Sequence, residues 1–190
     1  MTAPAVAALD PSVRWYRELM SQAAGDGNDH VLACMIANWQ AADGAMPDWL
    51  GLAPAAFRCL MEHHFLGIGL NAVREVGRPM PEDRRDEIDE LAALMLLDKA
   101  GESPSEVWMA HIVAAGCMAP DHLWHDLGLR CRGDLSALMR RNFPALAARN
   151  VKDMKWKRFL YKQLCEAEGI YTCRAPSCDE CSDYHVCFGP

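Results

Sequence analysis

The sequence predicts an all-α protein: a single-domain helical bundle followed by an irregular, cysteine-rich C-terminal tail. Three observations carry this. The first is the kind of apolar residue present, 28 Ala, 20 Leu and 11 Met against 9 Val, 5 Ile and 2 Thr. Ala, Leu and Met lose little rotamer freedom in a helix, whereas β-branched side chains lose more. The second is helix punctuation: Pro, Asp, Asn or Ser opens one apolar-periodic stretch after another, and Gly closes many of them. The third is the end of that pattern at Gly169, after which Ile170–Pro190 holds four Cys, two Pro and a Gly. The 190 residues suit one domain. They divide into a helical part, 1–169, and a tail, 170–190, packed on or adjoining it.

The elements follow in order. Asp10-Pro11 reads as an N-cap and first-turn Pro, with a helix running to Ala24 before Gly25. Asn28 or Asp29 caps a second helix through Gln40. Pro54 opens a third, to about His64, broken by Gly67 and Gly69. Pro81 opens a fourth with an acidic first turn, which the helix dipole favours. Its apolar face is Ile88, Leu91, Leu94, Met95 and Leu97, and Gly101 lies past its end. Ser103-Pro104-Ser105-Glu106 is a capping box that starts a fifth helix, carrying Val107, Trp108, His111, Ile112 and Ala115. Pro120 and Asp121 start a short helix ending at Gly128. Asp134 caps the next, which Asn142 and Pro144 end. The last covers Val151 to Glu168, with Trp156, Phe159, Leu160 and Leu164 on one face and basic residues opposite.

Charge narrows the function. The formal net charge of -7 and a pI near 5.4 argue against a general affinity for nucleic acid. The charge is uneven: Glu82 to Glu106 is mostly acidic, Arg130 to Lys162 mostly basic. The basic stretch could attract an oxyanion or an acidic partner, although for any one Lys or Arg a solvated helix face is the plainer reading. No run approaches the ~18 apolar residues of a membrane helix. Met1–Asp10 carries no secretory signal, so a cytoplasmic protein is expected. No G-x-x-x-x-G-K-[ST], G-x-S-x-G or G-x-G-x-x-G motif supports nucleotide-driven or serine-hydrolase chemistry.

Nine cysteines stand in the chain, and four of them, Cys173, Cys178, Cys181 and Cys187, lie within 15 residues as C-x4-C-x2-C-x5-C. Short intervals reduce the loop-closure entropy of gathering ligands, so this spacing points to a metal site. Structural zinc usually takes two C-x2-C-type pairs, and only Cys178 and Cys181 form one. Wider, uneven intervals suit the separate metal vertices of an iron–sulfur cluster. The spacing therefore favours iron–sulfur, with zinc and disulfides as the alternatives. The same intervals recur with other ligands in Cys117, His122, His125 and Cys131. Ordinary helix histidines and two small hydrophobic thiols are the plainer reading of that set; His122 is the preferred metal-ligand candidate, with Cys117 and Cys131 behind it. His63-His64 are adjacent at a helix end, and adjacent side chains are expected to point apart, so a shared metal is not expected there. His185 sits inside the tail's cysteine loop. Cys34, Cys59 and Cys165 read as core thiols, with Cys165 the possible exception.

At these residues the chain resembles the NifQ family of nitrogen-fixation proteins. The C-x4-C-x2-C-x5-C tail, followed by Phe188-Gly189, is similar to that family's motif. So are His122-Leu-Trp-His-Asp-Leu-Gly-Leu129, Phe143-Pro-Ala-Leu-Ala-Ala-Arg-Asn150 and Asp153-Met-Lys-Trp-Lys-Arg-Phe159. The resemblance implies a carrier rather than an enzyme. It implies an iron–sulfur cluster, of MoFe3S4 or 4Fe-4S type, held by Cys173, Cys178, Cys181 and Cys187, and molybdenum passed on for assembly of the nitrogenase iron–molybdenum cofactor. The implied partners are a cofactor-assembly scaffold, the nitrogenase iron protein and a source of molybdenum such as molybdate. If all four cysteines hold iron, molybdenum needs another site. If three do, the fourth vertex can be molybdenum, held by the last Cys, a His or an oxygen ligand. Two other readings compete: a zinc-stabilised helical interaction protein, and an iron–sulfur redox sensor or electron carrier.

Overall fold

Nine α-helices and no β-strand form the residues that this computed structural model describes, 10–168. They are α1 (Pro11–Ser21), α2 (Asp29–Gln40), α3 (Pro54–His64), α4 (Arg85–Leu96), α5 (Ser105–Cys117), α6 (Leu123–Asp126), α7 (Arg132–Asn142), α8 (Pro144–Arg149) and α9 (Trp156–Glu168). The all-α expectation holds here; the tail assigned to 170–190 lies outside the described residues.

The layout follows from which helices are apolar on every side. In α2 nine of 12 residues are buried, and in α5 ten of 13. Such a helix must be surrounded. Accordingly α1 packs on α2, α4 packs on α5, and α9 lies against α4. Trp39, Phe57, Phe65, Phe143 and Tyr161 are among the largest fully buried side chains. Each Leu, Met or Phe so buried contributes roughly 1.5–3 kcal/mol relative to exposure.

Tertiary contacts override local signals at several boundaries. The first helix stops at Ser21, not Ala24, because the chain turns to meet the end of α3. There Ala24 N donates to His64 O (2.9 Å) and Leu66 N to Gln22 O (3.0 Å). The fourth helix begins at Arg85, not Pro81, after a single 3-10 turn over Glu82–Arg84. Leu97, expected on its apolar face, lies past its last residue and is 84% exposed. Asp134 sits in the first turn of α7 rather than capping it. Pro144 does not merely end a helix; it opens α8 as its first residue. The last helix starts at Trp156, not Val151. Asn150 there hydrogen-bonds both backbone groups of Met154, from Nδ2 to its oxygen (3.0 Å) and at Oδ1 from its amide (2.8 Å). The capping box at α5 forms in part: Glu106 reaches back to accept from Ser103 N at 3.1 Å.

One turn carries backbone strain. Trp49, Leu50 and Gly51 all have positive φ, at 60°, 56° and 81°. The Asp48 carboxylate secures this turn by accepting from the amides of Val76, Gly77 and Arg78. Leu50 is thereby placed in the core, and Gly51 lies against α5.

Candidate metal centres

The bridge between the end of α1 and the end of α3 also brings ligand-type side chains together. Asp26 lies in the loop that this bridge folds back, and His63 and His64 are the last residues of α3. One ligand atom from each of Asp26, His63 and His64 lies within 4.8 Å of the others. Among the described residues, this is the only group of three such side chains so placed. The expectation that adjacent histidines point apart fails at this helix end. Their rings meet edge to face with centroids 4.7 Å apart, and Trp108 flanks both at 5.8 and 6.1 Å.

The hydrogen bonds at this group are directional. His64 is fully buried, and its Nδ1 donates to Asp29 Oδ1 at 2.6 Å. Asp29 Oδ2 in turn accepts from Gly25 N at 2.7 Å. With Nδ1 carrying the proton, neutral His64 presents Nε2 as a lone pair, and that atom is buried without a hydrogen-bond partner. A buried polar atom left so costs roughly 1–3 kcal/mol. Burial pushes the His64 pKa down, against the hydrogen bond to Asp29 and the nearby carboxylates, which favours the neutral ring. Burial would raise the Asp26 carboxyl, but the Ser103 hydroxyl, the Asn28 amide and the two imidazoles outweigh it and hold it below the usual range. Asp26 Oδ2 accepts from Ser103 Oγ at 2.7 Å and faces His63 Nε2 at 3.4 Å; Oδ1 accepts from Asn28 N at 2.8 Å.

The tail cysteines Cys173, Cys178, Cys181 and Cys187, and His185, lie outside the described residues. The set with matching intervals, Cys117, His122, His125 and Cys131, lies wholly among the described residues. Cys117, the last residue of α5, is fully buried, and burial pushes its thiol up to about 12, only partly offset by Lys157. It remains a protonated, small hydrophobic group. His122 precedes α6 and His125 lies within it; both are exposed, as is Cys131, the N-cap of α7. His125 Nδ1 faces Asp121 Oδ2 at 3.3 Å. Among the described residues, no three of these four bring ligand atoms together. Of the expected core thiols, Cys34 is buried, Cys59 is exposed on α3, and Cys165 is half-buried on α9. Cys59 departs from the expectation because, among the described residues, nothing covers its side of α3.

Part of the basic stretch is paired within the chain. Lys157 points inward, and its Nζ donates to Ala119 O (2.5 Å), Asp121 O (2.8 Å) and buried Asp126 Oδ2 (2.8 Å). Arg132 pairs with Asp153, Arg149 with Asp98 and Lys162 with Glu166. The sequence reading missed Asp26 and Asp29. Each looks like an ordinary turn or cap residue, and a gap of more than 30 residues separates them from His63 and His64.

Fold and sequence together define a small all-α protein with a cysteine-rich C-terminal segment. The sequence model of the NifQ family matches residues 31–189. The chain is 47% identical to Protein NifQ of Azotobacter vinelandii over 154 residues, which cover 76% of this chain and 79% of that protein. It is 34% identical to Protein NifQ of Rhodobacter capsulatus over 161 residues, covering 84% and 87%. It is 33% identical to Protein NifQ of Klebsiella pneumoniae over 166 residues, covering 79% and 92%. No solved structure matches the chain. The chain belongs to the NifQ family, whose members are implicated in nitrogen fixation.

Proposed function

We propose that this protein is a molybdenum–iron–sulfur cluster carrier, not an enzyme, and that it supplies molybdenum for assembly of the nitrogenase iron–molybdenum cofactor. The observation that carries this reading is the C-x4-C-x2-C-x5-C spacing in a chain of the NifQ family. Cys173, Cys178, Cys181 and Cys187 are the proposed ligands. Four thiolates are a soft donor set of the kind that holds iron in sulfide clusters. The cluster is cargo, and the receiving partners are the cofactor-assembly scaffold and the nitrogenase iron protein. A cytoplasmic location goes with this reading; no described helix is long and apolar enough to cross a membrane. His122, exposed at the start of α6, is the imidazole proposed for the molybdenum vertex.

The test is elemental analysis with acid-labile sulfide on protein purified anaerobically from cells supplied with iron and molybdate. Iron, sulfide and molybdenum together are expected. Zinc without sulfide would favour the zinc-stabilised interaction protein instead. Iron and sulfide with reversible reduction but no molybdenum would favour the electron carrier. Cys178→Ala or Cys181→Ala should abolish the cluster while circular dichroism stays helical, since the described core ends at α9. His122→Ala should lower molybdenum more than iron; equal loss, or none, removes it from the site.

A further inference from the structure

We infer that Asp26, His63 and His64, none of them from the cysteine-rich segment, form a second metal site that binds a divalent first-row transition ion of the zinc or iron(II) kind. The inference stands on the helical core alone and does not depend on the carrier reading.

The donor set selects the ion. Two imidazoles and a carboxylate suit zinc or iron(II), whereas calcium and magnesium take oxygen ligands almost throughout. The ligand atoms lie within 4.8 Å of one another. Tetrahedral coordination with bonds of about 2.0–2.2 Å asks for about 3.3–3.6 Å, a contraction that small side-chain rotations can supply. Two of the three ligands, His64 and Asp26, are oriented before any ion arrives. Asp29 holds the Nδ1 side of His64, a carboxylate–histidine arrangement that fixes the tautomer and leaves Nε2 to coordinate. Ser103 and Asn28 hold the two oxygens of Asp26. His64 Nε2 is the independent sign of a missing partner: it is buried and without a hydrogen bond, on the side of the ring that Asp29 leaves free.

Charge agrees. The carboxylates of Asp26 and Asp29 together carry the two negative charges that offset a divalent ion. The two histidines end the 11-residue helix α3, where the negative end of the helix dipole favours a cation. The His63 side chain is 35% exposed, which gives the ion a way in. Three protein ligands leave a coordination position for water or another oxygen donor, the pattern of an open site rather than a sealed structural one.

The test uses the full-length chain with Cys173→Ser, Cys178→Ser, Cys181→Ser and Cys187→Ser, so that the tail thiolates cannot compete. This protein is titrated with zinc(II), and separately with cobalt(II) read by absorption. About one ion per chain is expected. The cobalt form should show visible ligand-field bands without thiolate-to-metal charge transfer in the near ultraviolet. In the same background, His63→Ala and Asp26→Asn should each weaken binding about tenfold or more with unchanged circular dichroism. Neither depends on replacing the fully buried His64, whose loss risks the fold itself. Asp29→Asn should weaken binding by about 10–100-fold through the orientation of His64. Absence of binding overturns the inference. So does binding that both His63→Ala and Asp26→Asn leave unchanged, or a cobalt spectrum dominated by thiolate charge transfer. Failure of the carrier reading appears separately, as absence of iron and sulfide from the unaltered chain.

Discussion

His64 Nδ1 and Asp29 Oδ1 stand 2.6 Å apart with both side chains buried, tying the C-terminal end of α3 to the N-terminal end of α2. Removing the carboxylate leaves His64 Nδ1 and Gly25 N without their acceptor. Asp29→Ala is therefore expected to destabilise the metal-free protein by about 1–3 kcal/mol, the cost of leaving the buried His64 Nδ1 unpaired, since water can replace the acceptor of exposed Gly25. Urea denaturation followed by circular dichroism measures this. A loss under 0.5 kcal/mol, the range of ordinary surface changes, would show that the pair is not holding the helices.

The same logic applies more strongly at Lys157 and Asp126. Asp126 is 1% exposed and its charge meets Lys157 Nζ at 2.8 Å. Lys157→Met abandons a buried carboxylate and two backbone carbonyls, for an expected loss of about 3–5 kcal/mol. Lys157→Met combined with Asp126→Leu should regain part of that loss, because no charge is then left alone. A double variant as unstable as the sum of the two single ones would deny the coupling.

Gly51→Ala should lower thermal stability. Its φ is 81°, a region that costs an L side chain roughly 1–2 kcal/mol, and the added Cβ would stand 2.6 Å from Ala115 Cβ on α5. A shift of several degrees downward in Tm is expected by calorimetry. Gly77→Ala shares the positive φ, at 80°, but meets nothing within 4 Å, so it should cost less. Equal losses would mean that backbone strain alone accounts for the effect.

Thiol reactivity should sort by burial. In the native chain near pH 8, Cys59 and Cys131 are exposed and should alkylate readily with iodoacetamide. Cys117, fully buried with its thiol pushed up to about 12, should react only after unfolding. Peptide mass spectrometry after brief labelling reads this directly. Early labelling at Cys117 would show that the end of α5 opens on the labelling timescale.

The helices were legible because local chemistry specifies them. Pro11 and Pro54 each open a helix as first residues, and the all-round apolar runs after Asp29 and Ser105 become the two central helices. The boundaries that differ are those where a distant partner competes with the next helical turn. Ala24 bonds to His64, and α8 gains a place because Leu146 finds the core beyond Pro144. Leu97 shows the converse: periodicity counted it as apolar-facing, but the helix had already ended.

By itself, then, the sequence determined the all-α class, the starts of α1, α2 and α3, the spacing of the tail cysteines and the family. These depend on propensity, capping and intervals of a few residues, which act between near neighbours along the chain. Only the tertiary structure decided that Lys157 is a buried tie rather than part of a basic face, and that Asp26, His63 and His64 converge. Both outcomes join residues more than 30 positions apart. Such distances in sequence carry no periodic signal, and the contacts exist only once packing has brought α9 to α6 and the end of α3 to the start of α2.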